Sequence, residues 1–455
     1  MATFAGVFTA LRGIQTSQLQ LRVTGQNMTN VATDGYTRQR ADVYSLASSS
    51  TNMRYATSTP SVGAGVMAKS VSQLRDASLD VRYRFENAKV GNTETQLGAM
   101  LDIQNVLDES VNDGLEAQMK ALFTQLQTLS GDAGDGVSES TVKTSASILV
   151  NMFNNYAEQL SSIRNQQTGY LKDNAVNQVN QLLSNIAHLN EAIRGSEVAG
   201  SNALELEDQR NTMLDQLSQY MNIEIKKNSV PIGSGRTVDE LSVYLVGASG
   251  AKYTLIDNKN HATIGFEMGT DPNTGRDSAN ITFTDIDGVK QTINSELQTG
   301  IFHGYLKILN NYGEYDAGYP ALDPITGDPI TTTATERGLG YYQASLDTLA
   351  KQFAEIMNAA NSTNMEDKPL FASSIGGDIT AATISLSAKW QKATGSYITT
   401  TKLDAGVEGD SKATDNILAM IHAMNTGRNF ETEQGTPVFT GTFQEFVNNL
   451  SNTLG

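Results

Sequence analysis

The chain has 455 residues, more than one hydrophobic core usually supports, so its length predicts two or three domains. It carries 32 Lys and Arg residues against 49 Asp and Glu residues, and the net charge of -17 argues against binding to nucleic acid or to an anionic membrane surface. The absence of cysteine excludes a disulfide scaffold, thiol catalysis and thiolate metal sites.

The first 33 residues predict an amphipathic helix that needs a partner. Arg12 and Arg22 are the only charged side chains in this segment, and its apolar residues follow the steps of three and four that form a coiled-coil seam. The predicted axial-helix seam consists of Phe4, Val7, Leu11, Ile14, Leu21 and Met28. Nothing nearby in the sequence would cover this stripe, so we expect a partner strand or another subunit against it.

The amino terminus does not have the pattern of a cleavable secretory signal, because no basic region precedes an unbroken apolar core. No window approaches the roughly 18 apolar residues that a membrane span needs. We therefore expect that a chain leaving the cell would keep its own amino terminus.

The segment NMTNVATDGYTRQR follows this helix and predicts a helix end, a tight turn and an extended exit. Asn27 and Asn30 suit the helix end, and the Asp-Gly pair that ends at Gly35 is a strong turn signal, because glycine supplies a positive φ. Tyr36 and Arg38 are then expected to anchor the exit by ring burial and guanidinium hydrogen bonds.

The interval between Pro60 and Pro231 contains no proline and predicts mostly helix. Apolar residues follow a 3.5-residue repeat from Val142 to Ile163, and after a phase slip near residues 167–170 the repeat resumes from Val176 to Ile193. This pattern favours a long rod that packs lengthwise, with an ordinary helical bundle as the alternative. Shorter amphipathic helices are predicted near residues 74–107, 115–129 and 204–221.

Downstream the apolar period becomes two, with strands expected from residues 241, 253, 262 and 279 between Gly, Asn and Asp-rich turns. Helical periodicity returns at 300–311 and 339–360, followed by a small β element that includes Trp390, a helix at 416–424 and an apolar stripe at 443–450. The predicted fold class is mainly α with β-rich modules, built on a long coiled-coil-like helical rod. The predicted domains are an amino-terminal helix and its exit, a helical bundle, a β-rich module, returning helices and a carboxy-terminal segment, at residues 1–60, 61–222, 223–299, 300–362 and 363–455.

No residue is predicted to be catalytic, to bind a cofactor or to hold a metal. The four histidines, His188, His261, His303 and His422, lie far apart and fit no metal-binding spacing. The short glycine motifs lack the third glycine of a dinucleotide fingerprint and the lysine of a phosphate-binding loop. These histidines and glycines are better explained as turn, surface or core residues than as parts of a metal, dinucleotide or phosphate site.

The turn segment resembles the amino-terminal signature of the flagellar rod, hook and hook-associated protein family. In that signature Asn, an aliphatic residue, a small residue and Asn are followed shortly by Gly-Tyr-Ser/Thr-Arg. The matching residues are Asn27, Met28, Thr29, Asn30, Gly35, Tyr36, Thr37 and Arg38. Asp34 stands where a proline is common. The resemblance continues, in the order of the hook-associated branch, through SVGAGVMAKSVSQLRD, LELEDQRNTMLDQLSQYMNIEI and GYYQASLDTLAKQFAEIMNAAN.

The resemblance implies a structural subunit that joins the hook of the bacterial flagellum to its filament, outside the cell, exported by the flagellar route. It implies flagellin-like axial architecture, with terminal helices in an axial coiled coil and outer domains between them. The implied partners are other copies in a ring, the hook protein and a second hook-filament junction protein, with an export chaperone as a further candidate. The implied assembly motif is Asn27, Asn30, Gly35, Tyr36, Thr37 and Arg38.

Family members close with a carboxy-terminal heptad helix, and the sequence before Gly455 shows no such helix, so we expect that it is missing. Three other functions stay open at this point. The chain could be another axial protein of hook or rod type, or an adhesin that binds through residues 223–299. The last alternative, a cell-wall glycan hydrolase, needs two carboxylates across a cleft, and no pair stands out in the sequence.

Overall fold

The computed structural model describes residues 2–46, 63–107, 114–133, 135–233, 236–271, 275–316, 336–363, 366–393, 396–402, 413–432 and 435–453. These residues divide into two compact units. Unit 1 comprises Met1–Asn92, Ala175–Gly265 and Thr282–Ile301, and unit 2 comprises Thr93–Asn174, Phe266–Ile281 and Phe302–Gly455.

The helices are α1 (Ala2–Thr29), α2 (Ala77–Leu107), α3 (Leu115–Gly131), α4 (Gly136–Gly169), α5 (Val176–Val198), α6 (Leu204–Tyr220), α7 (Ile301–Asn310), α8 (Leu339–Asn361), α9 (Ala388–Lys392), α10 (Asp415–Asn425) and α11 (Phe443–Asn452). The strands are β1 (Gln39–Ser45), β2 (Val66–Gln73), β3 (Ile223–Gly233), β4 (Arg236–Val246), β5 (Lys252–Asp257), β6 (Asn260–His261), β7 (Thr263–Thr270), β8 (Asp277–Thr284), β9 (Lys290–Thr292), β10 (Phe371–Ser373), β11 (Ile384–Leu386), β12 (Arg428–Glu431) and β13 (Pro437–Gly441).

Unit 1 combines a β-hairpin, a four-stranded sheet and helices. Strands β1 and β2 pair antiparallel from Gln39 opposite Gln73 to Ser45 opposite Val66, and this pair is called the hairpin below. Strands β3, β4, β5 and β6 form an antiparallel meander, against which α5 packs, and α6 packs on α5. Alternate residues of β4 face the core, which is why Leu241, Val243 and Leu245 are all buried.

Unit 2 buries a helical core with many aromatic side chains. The core is built by α3, α4, α8, α10 and α11 together with the short β10–β11 and β12–β13 pairs. The rings of Phe430 and Phe446 stack with centroids 4.4 Å apart, and Phe353 meets Phe371 and Phe443 at larger angles. Helix α11 begins with a capping box, because Thr442 and Glu445 satisfy each other's backbone N–H groups.

Helix α4 continues through a π-helical turn, Tyr170–Ala175, into α5 without a break. Asp135 caps its start by accepting hydrogen bonds from the N–H groups of Val137 and Ser138. The π-helical turn begins where the predicted phase slip, near residues 167–170, ends. The predicted seam residues are buried on both sides of it: Val142, Ala146, Leu149, Phe153, Tyr156, Leu160 and Ile163 in α4, and Val176, Val179, Leu183, Ile186 and Ile193 in α5.

Four asparagines on helices share one local arrangement, in which the side-chain amide pairs with backbone groups of an extended segment. Asn180 Nδ2 donates to the carbonyl of Ile264 at 2.8 Å, and Asn180 Oδ1 accepts from Ile264 N at 2.9 Å. Asn310 pairs in the same way with the backbone of Ala279, at 2.7 and 2.9 Å. The same donor and acceptor geometry occurs at Asn358, which pairs with Phe371, and at Asn27, which pairs with Gln39.

The predicted fold class is confirmed, because the described residues are mainly helical with several small antiparallel sheets. The seam of α4 contacts α3, α8 and β11, so it packs against several elements rather than along one helix. The change from helix to strand falls at Ile223 and the return to helix at Ile301, close to two predicted boundaries. The five-domain division itself stays a prediction.

The predicted small β element that includes Trp390 is observed as strand β11, and the prediction was wrong only for Trp390 itself. Trp390 lies in the short helix α9, because the Ser387 hydroxyl accepts a hydrogen bond from Trp390 N and caps the helix. Its expected place in the core is observed, since the side chain is almost fully buried. The β1–β2 and β12–β13 hairpins and strand β3 are further elements that the sequence patterns did not predict.

Candidate assembly site at the amino-terminal motif

Helix α1 presents its predicted seam to solvent. The exposed fractions of the six seam side chains are Phe4 70%, Val7 64%, Leu11 47%, Ile14 57%, Leu21 73% and Met28 77%. The opposite face buries Thr16 and Val23, and α1 contacts both strands of the hairpin. Arg12 Nη1 also donates to the carbonyl of Ala64 at 3.1 Å. The helix is therefore held on one side, and its apolar stripe has no cover among the described residues.

Residues 27–38, which comprise the end of α1 and the loop after it, are called the amino-terminal motif, and Asn27 makes most of its side-chain hydrogen bonds. Asn27 Oδ1 accepts hydrogen bonds from the Tyr36 hydroxyl and from Gln39 N, each at 2.9 Å, while Nδ2 donates to the carbonyl of Gln39 at 2.9 Å. These contacts close the turn onto the end of α1 and fix where β1 begins. Asn30 acts locally, since its side chain donates to the carbonyl of Gln26 at 3.0 Å and its carbonyl accepts from Thr33 N.

Gly35 is required both by the backbone and by the space around it. Its φ is +74°, a region that favours glycine. A Cβ at this position would lie 2.0 Å from Thr212 Oγ1 on α6, so the turn and the helix lie in direct contact. A residue with a side chain fits here only if the Thr212 hydroxyl turns away or one of the two elements moves.

Thr37 joins the amino-terminal motif to α6 by a backbone contact. Thr37 N donates to Asp208 Oδ2 at 3.0 Å, and Gln39 Nε2 donates to Glu205 Oε1 at 3.2 Å. Asp208 is buried and 171 positions away in the sequence. A hydrogen bond to a charged acceptor is worth about 1.5–3 kcal/mol, so the contact is a substantial part of what holds the turn.

Helix α6 is held from a second direction by arginines near the start of α2. Arg84 Nε lies 2.6 Å from Asp215 Oδ1, and Arg75 Nη2 lies 3.6 Å from Asp215 Oδ2. Arg75 also pairs with Asp80 at 2.6 Å and donates to Thr37 Oγ1 at 3.4 Å. Arg75 thus contacts both the motif and the carboxylate on α6.

Acidic side chains surround the motif and give the site a negative charge. The pKa of Tyr36 is raised, first by desolvation and then by the charges of Asp208 and Glu205. Beside the motif lies a cavity of about 400 Å³ that we call the acid-lined cavity, because Asp34, Glu205 and Asp208 line it. Its other lining residues are Gln26, Asn30, Thr33, Tyr36, Gln209, Thr212, Met213 and Gln216.

The structure places most of the predicted motif residues in one network. Asn27, Gly35, Tyr36 and Thr37 meet each other or α6, whereas Arg38 is exposed and its guanidinium makes no hydrogen bond or ion pair with another described residue. The expected guanidinium hydrogen bonds of Arg38 are therefore not seen within this part of the chain. Sequence reasoning missed the α6 partners of the motif; the one available signal was that LELEDQRNTMLDQL also carried the family resemblance.

No group of three or more His, Cys, Asp or Glu side chains is placed to hold a metal ion in the described part of the chain. No helix within the described ranges is long and apolar enough to cross a membrane.

Comparison with known proteins assigns the chain to a family. The model of a family described as the flagellar hook-associated protein FlgK helical domain matches residues 100–371, more than half of the chain. The chain belongs to the FlgK family. Flagellar hook-associated protein 1 of Bacillus subtilis is 32% identical to it over 228 residues, which are 50% of this chain and 45% of the relative.

Other FlgK relatives are more distant. Flagellar hook-associated protein 1 of Escherichia coli is 29% identical over 222 residues, which are 48% of this chain and 38% of the relative. The matches therefore cover less than half of either relative's length. The structure of the flagellar hook junction protein FlgK from Burkholderia pseudomallei shares 21% identity and covers 66% of this chain and 45% of its own, with a TM-score of 0.46. A TM-score this low does not establish a shared overall arrangement.

Proposed function

We propose that this chain is a structural subunit of the bacterial flagellum that joins the hook to the filament, and that it carries no catalytic activity. The observation that supports the proposal most is the match of residues 100–371 to the FlgK helical domain. The names of the Bacillus subtilis and Escherichia coli relatives, flagellar hook-associated protein 1, point to the same place in the flagellum.

The exposed seam of α1 is the surface that we propose to take part in assembly. Six apolar side chains at least 47% exposed form one stripe on a 28-residue helix, and burial of such a stripe contributes roughly 25 cal/mol per Å². Identical subunits that meet through different faces form helical or ring assemblies. The proposed partners are other copies of this chain, the hook protein and a second junction protein.

The amino-terminal motif has a supporting part in this proposal. Asn27, Gly35, Tyr36 and Thr37 fix the direction in which the chain leaves α1, and the contacts with Asp208 tie that direction to α6. We propose that the motif orients α1 for assembly and that Asn30 and Arg38 belong to the same element. Export through the flagellar route, with the amino terminus retained and an export chaperone as a candidate partner, is part of the same proposal.

Electron microscopy of flagella from a strain that lacks this chain tests the function. We expect hooks without filaments, and we expect the full-length gene supplied in trans to restore filaments and swimming. Filaments of normal length and attachment in the deletion strain would refute the proposal.

The role of the seam is tested separately by cross-linking in intact flagella. The chain contains no cysteine, so a substitution Leu21→Cys introduces a unique thiol on the seam. We expect a short cross-linker with one thiol-reactive and one photoreactive end, attached to this thiol, to connect it to a neighbouring subunit on illumination, whereas Gln20→Cys, one residue away and off the seam, should give less cross-linked product. Equal yields for both variants would remove the seam from the proposal.

A further inference from the structure

The loop between β10 and β11 in unit 2, residues 374–383, holds an isoleucine out into solvent. Ile375 is 82% exposed, although the residues that flank the loop on both strands pack on the core of this unit. Gly376 and Gly377 follow it, and both have a φ of +81°, a region that favours glycine. The two glycines let the chain reverse directly after Ile375, so this side chain stands at the tip of the loop.

Hydrogen bonds hold this loop in place on the helices of unit 2. Its two ends are joined, because Ser374 N donates to the carbonyl of Thr383 at 2.7 Å. Ala381 N donates to Asp347 Oδ1 on α8 at 2.8 Å, which fixes the loop to that helix. A side chain on a fixed support loses little conformational entropy when it binds, so Ile375 is suited to insertion into an apolar hole.

An apolar groove of about 290 Å³ opens elsewhere on unit 2, between α3, α10 and α11. Buried Met119, Met424 and Phe443 line it together with partly exposed Phe123. An apolar cavity of about 150 Å³ holds benzene, so the groove has room for an aliphatic side chain, and methionine adapts readily to an inserted group. Its other lining residues are Lys120, Thr124, Gln127, Asn425 and Gln444. None of them belongs to the loop, so the loop does not fill the groove of its own chain.

The groove and the loop carry opposite charges. Lys120 is an exposed residue of the groove, and its ammonium group makes no hydrogen bond or ion pair with another described residue. Asp378 is exposed on the loop, three positions after Ile375, and its carboxylate also has no such partner in the described part of the chain. An apolar hole beside a cation therefore matches an apolar side chain beside an anion.

We propose that Ile375 of one copy of this chain inserts into the apolar groove of a second copy, where Asp378 pairs with Lys120. The contact joins two different faces, so each added copy presents a further groove or loop and the assembly can continue in one direction. A single side chain and one ion pair form a small interface, which stabilises copies mainly where it is repeated along an assembly. This proposal rests on the proposed function in one respect, that copies of the chain assemble.

Cross-linking between two variants of the purified chain tests the contact, because the chain contains no cysteine of its own. Ser374→Cys places a thiol beside Ile375, and Thr124→Cys places one at the groove; both positions are exposed. We expect a short cross-linker with two thiol-reactive ends to give heterodimers in a mixture of these variants. The control is a mixture of Ser374→Cys with Thr144→Cys, which should give several times less product. Thr144 is an exposed threonine of α4 outside the groove, and like Thr124 it donates to a carbonyl one helical turn earlier.

Two further changes to the Ser374→Cys chain separate the apolar part of the contact from the ionic part. Adding Ile375→Ser should lower the heterodimer yield by roughly tenfold, because burial of an aliphatic side chain is lost. Val137→Ser, at a 72% exposed position of α4, is the matched control and should leave the yield unchanged. Adding Asp378→Lys should also lower the yield, and Lys120→Asp on the groove chain should restore it, because the two charges are then opposite again. All these side chains are exposed, so the fold should persist, which circular dichroism checks.

Equal yields with Thr124→Cys and Thr144→Cys, or an unchanged yield with Ile375→Ser, would overturn the proposal. Failure of the exchanged charges to restore the yield would overturn the ion pair. An excess of Thr124→Cys homodimers over heterodimers would show that two grooves meet, which also contradicts the proposed contact. The cross-linking is measured on the purified chain and the deletion phenotype in cells, so the failure of this proposal and that of the proposed function are distinguishable.

Discussion

Replacing Gly35 by alanine should open the contact between the amino-terminal motif and α6. The backbone contribution arises because alanine at φ +74° is strained, at about 1–2 kcal/mol. The steric contribution arises because the new Cβ would lie 2.0 Å from Thr212 Oγ1, and overpacking of this kind costs about 1–3 kcal/mol. Together they predict a local destabilisation of roughly 2–5 kcal/mol.

The two contributions can be separated by changing Thr212 as well. Thr212→Ala removes Oγ1, and the hypothetical Cβ at position 35 would then lie 3.4 Å from the Cβ of residue 212, an ordinary contact. The double variant should therefore retain only the backbone cost of about 1–2 kcal/mol. A coupling energy of about 1–3 kcal/mol between the two positions is expected.

Hydrogen exchange measured by mass spectrometry, on peptides that cover residues 27–46 and 204–220, reports this local opening. Exchange of the protected amides in Gly35→Ala should accelerate by at least tenfold, since about 1.4 kcal/mol corresponds to a factor of ten. Gly195→Ala is the control, because Gly195 lies in α5 with nothing within 4 Å of a new Cβ. That variant should be as stable as the unmodified chain or slightly more stable. Unchanged exchange in Gly35→Ala would refute the claim that the turn is pressed against α6.

Three further predictions concern the cores and α1. Leu149→Asp should lower the free energy of unfolding by several kcal/mol, because the side chain is 0% exposed. Ile148→Asp, at a 44% exposed position, is the control and should have little effect. Equal urea midpoints for the two variants, measured by Trp390 fluorescence, would show that the seam is misassigned. Burial raises the pKa of Asp347 to about 6 from 3.8, so the stability it contributes is present below pH 4 and is lost as the pH rises through 6. Asp347→Asn should therefore stabilise the chain at pH 7.5 by up to about 3 kcal/mol and not at pH 4; no gain in urea denaturation at pH 7.5 contradicts this. Amides of α1 should exchange faster than those of α4, since the α1 seam is exposed; equal protection of both helices in a verified monomer would mean that the seam is covered.

The elements that could be predicted from sequence are those in which the periodicity itself decides burial. Leu149 and Leu160 were assigned to a seam from spacing alone, and both are fully buried. Gly35 could also be predicted, because a turn that needs positive φ strongly favours glycine.

The partners of these elements could not be predicted, because pairing over long distances leaves no local pattern. In the sequence, Asp208 resembles any acidic residue of an amphipathic helix. In the structure, its carboxylate accepts a hydrogen bond from the N–H of Thr37, 171 positions away. The hairpin was missed for the same reason, since β1 and β2 are separated by a segment of about twenty residues and neither strand shows strict alternation of apolar and polar side chains. The strand prediction for Trp390 was wrong for a different reason, because a single serine cap starts a helix in a segment whose composition is typical of a strand.

Because four asparagines pair with extended backbone, the lifetime of the fold depends on the chemical stability of these side chains as well as on the free energy of unfolding. At Asn27, Asn180, Asn310 and Asn358 the amide nitrogen faces a backbone carbonyl and the amide oxygen faces a backbone N–H. Deamidation would replace that nitrogen with a carboxylate oxygen, and two acceptors would then face each other at a helix–strand joint. Slow hydrolysis at any of these joints would weaken the fold without changing the length of the chain.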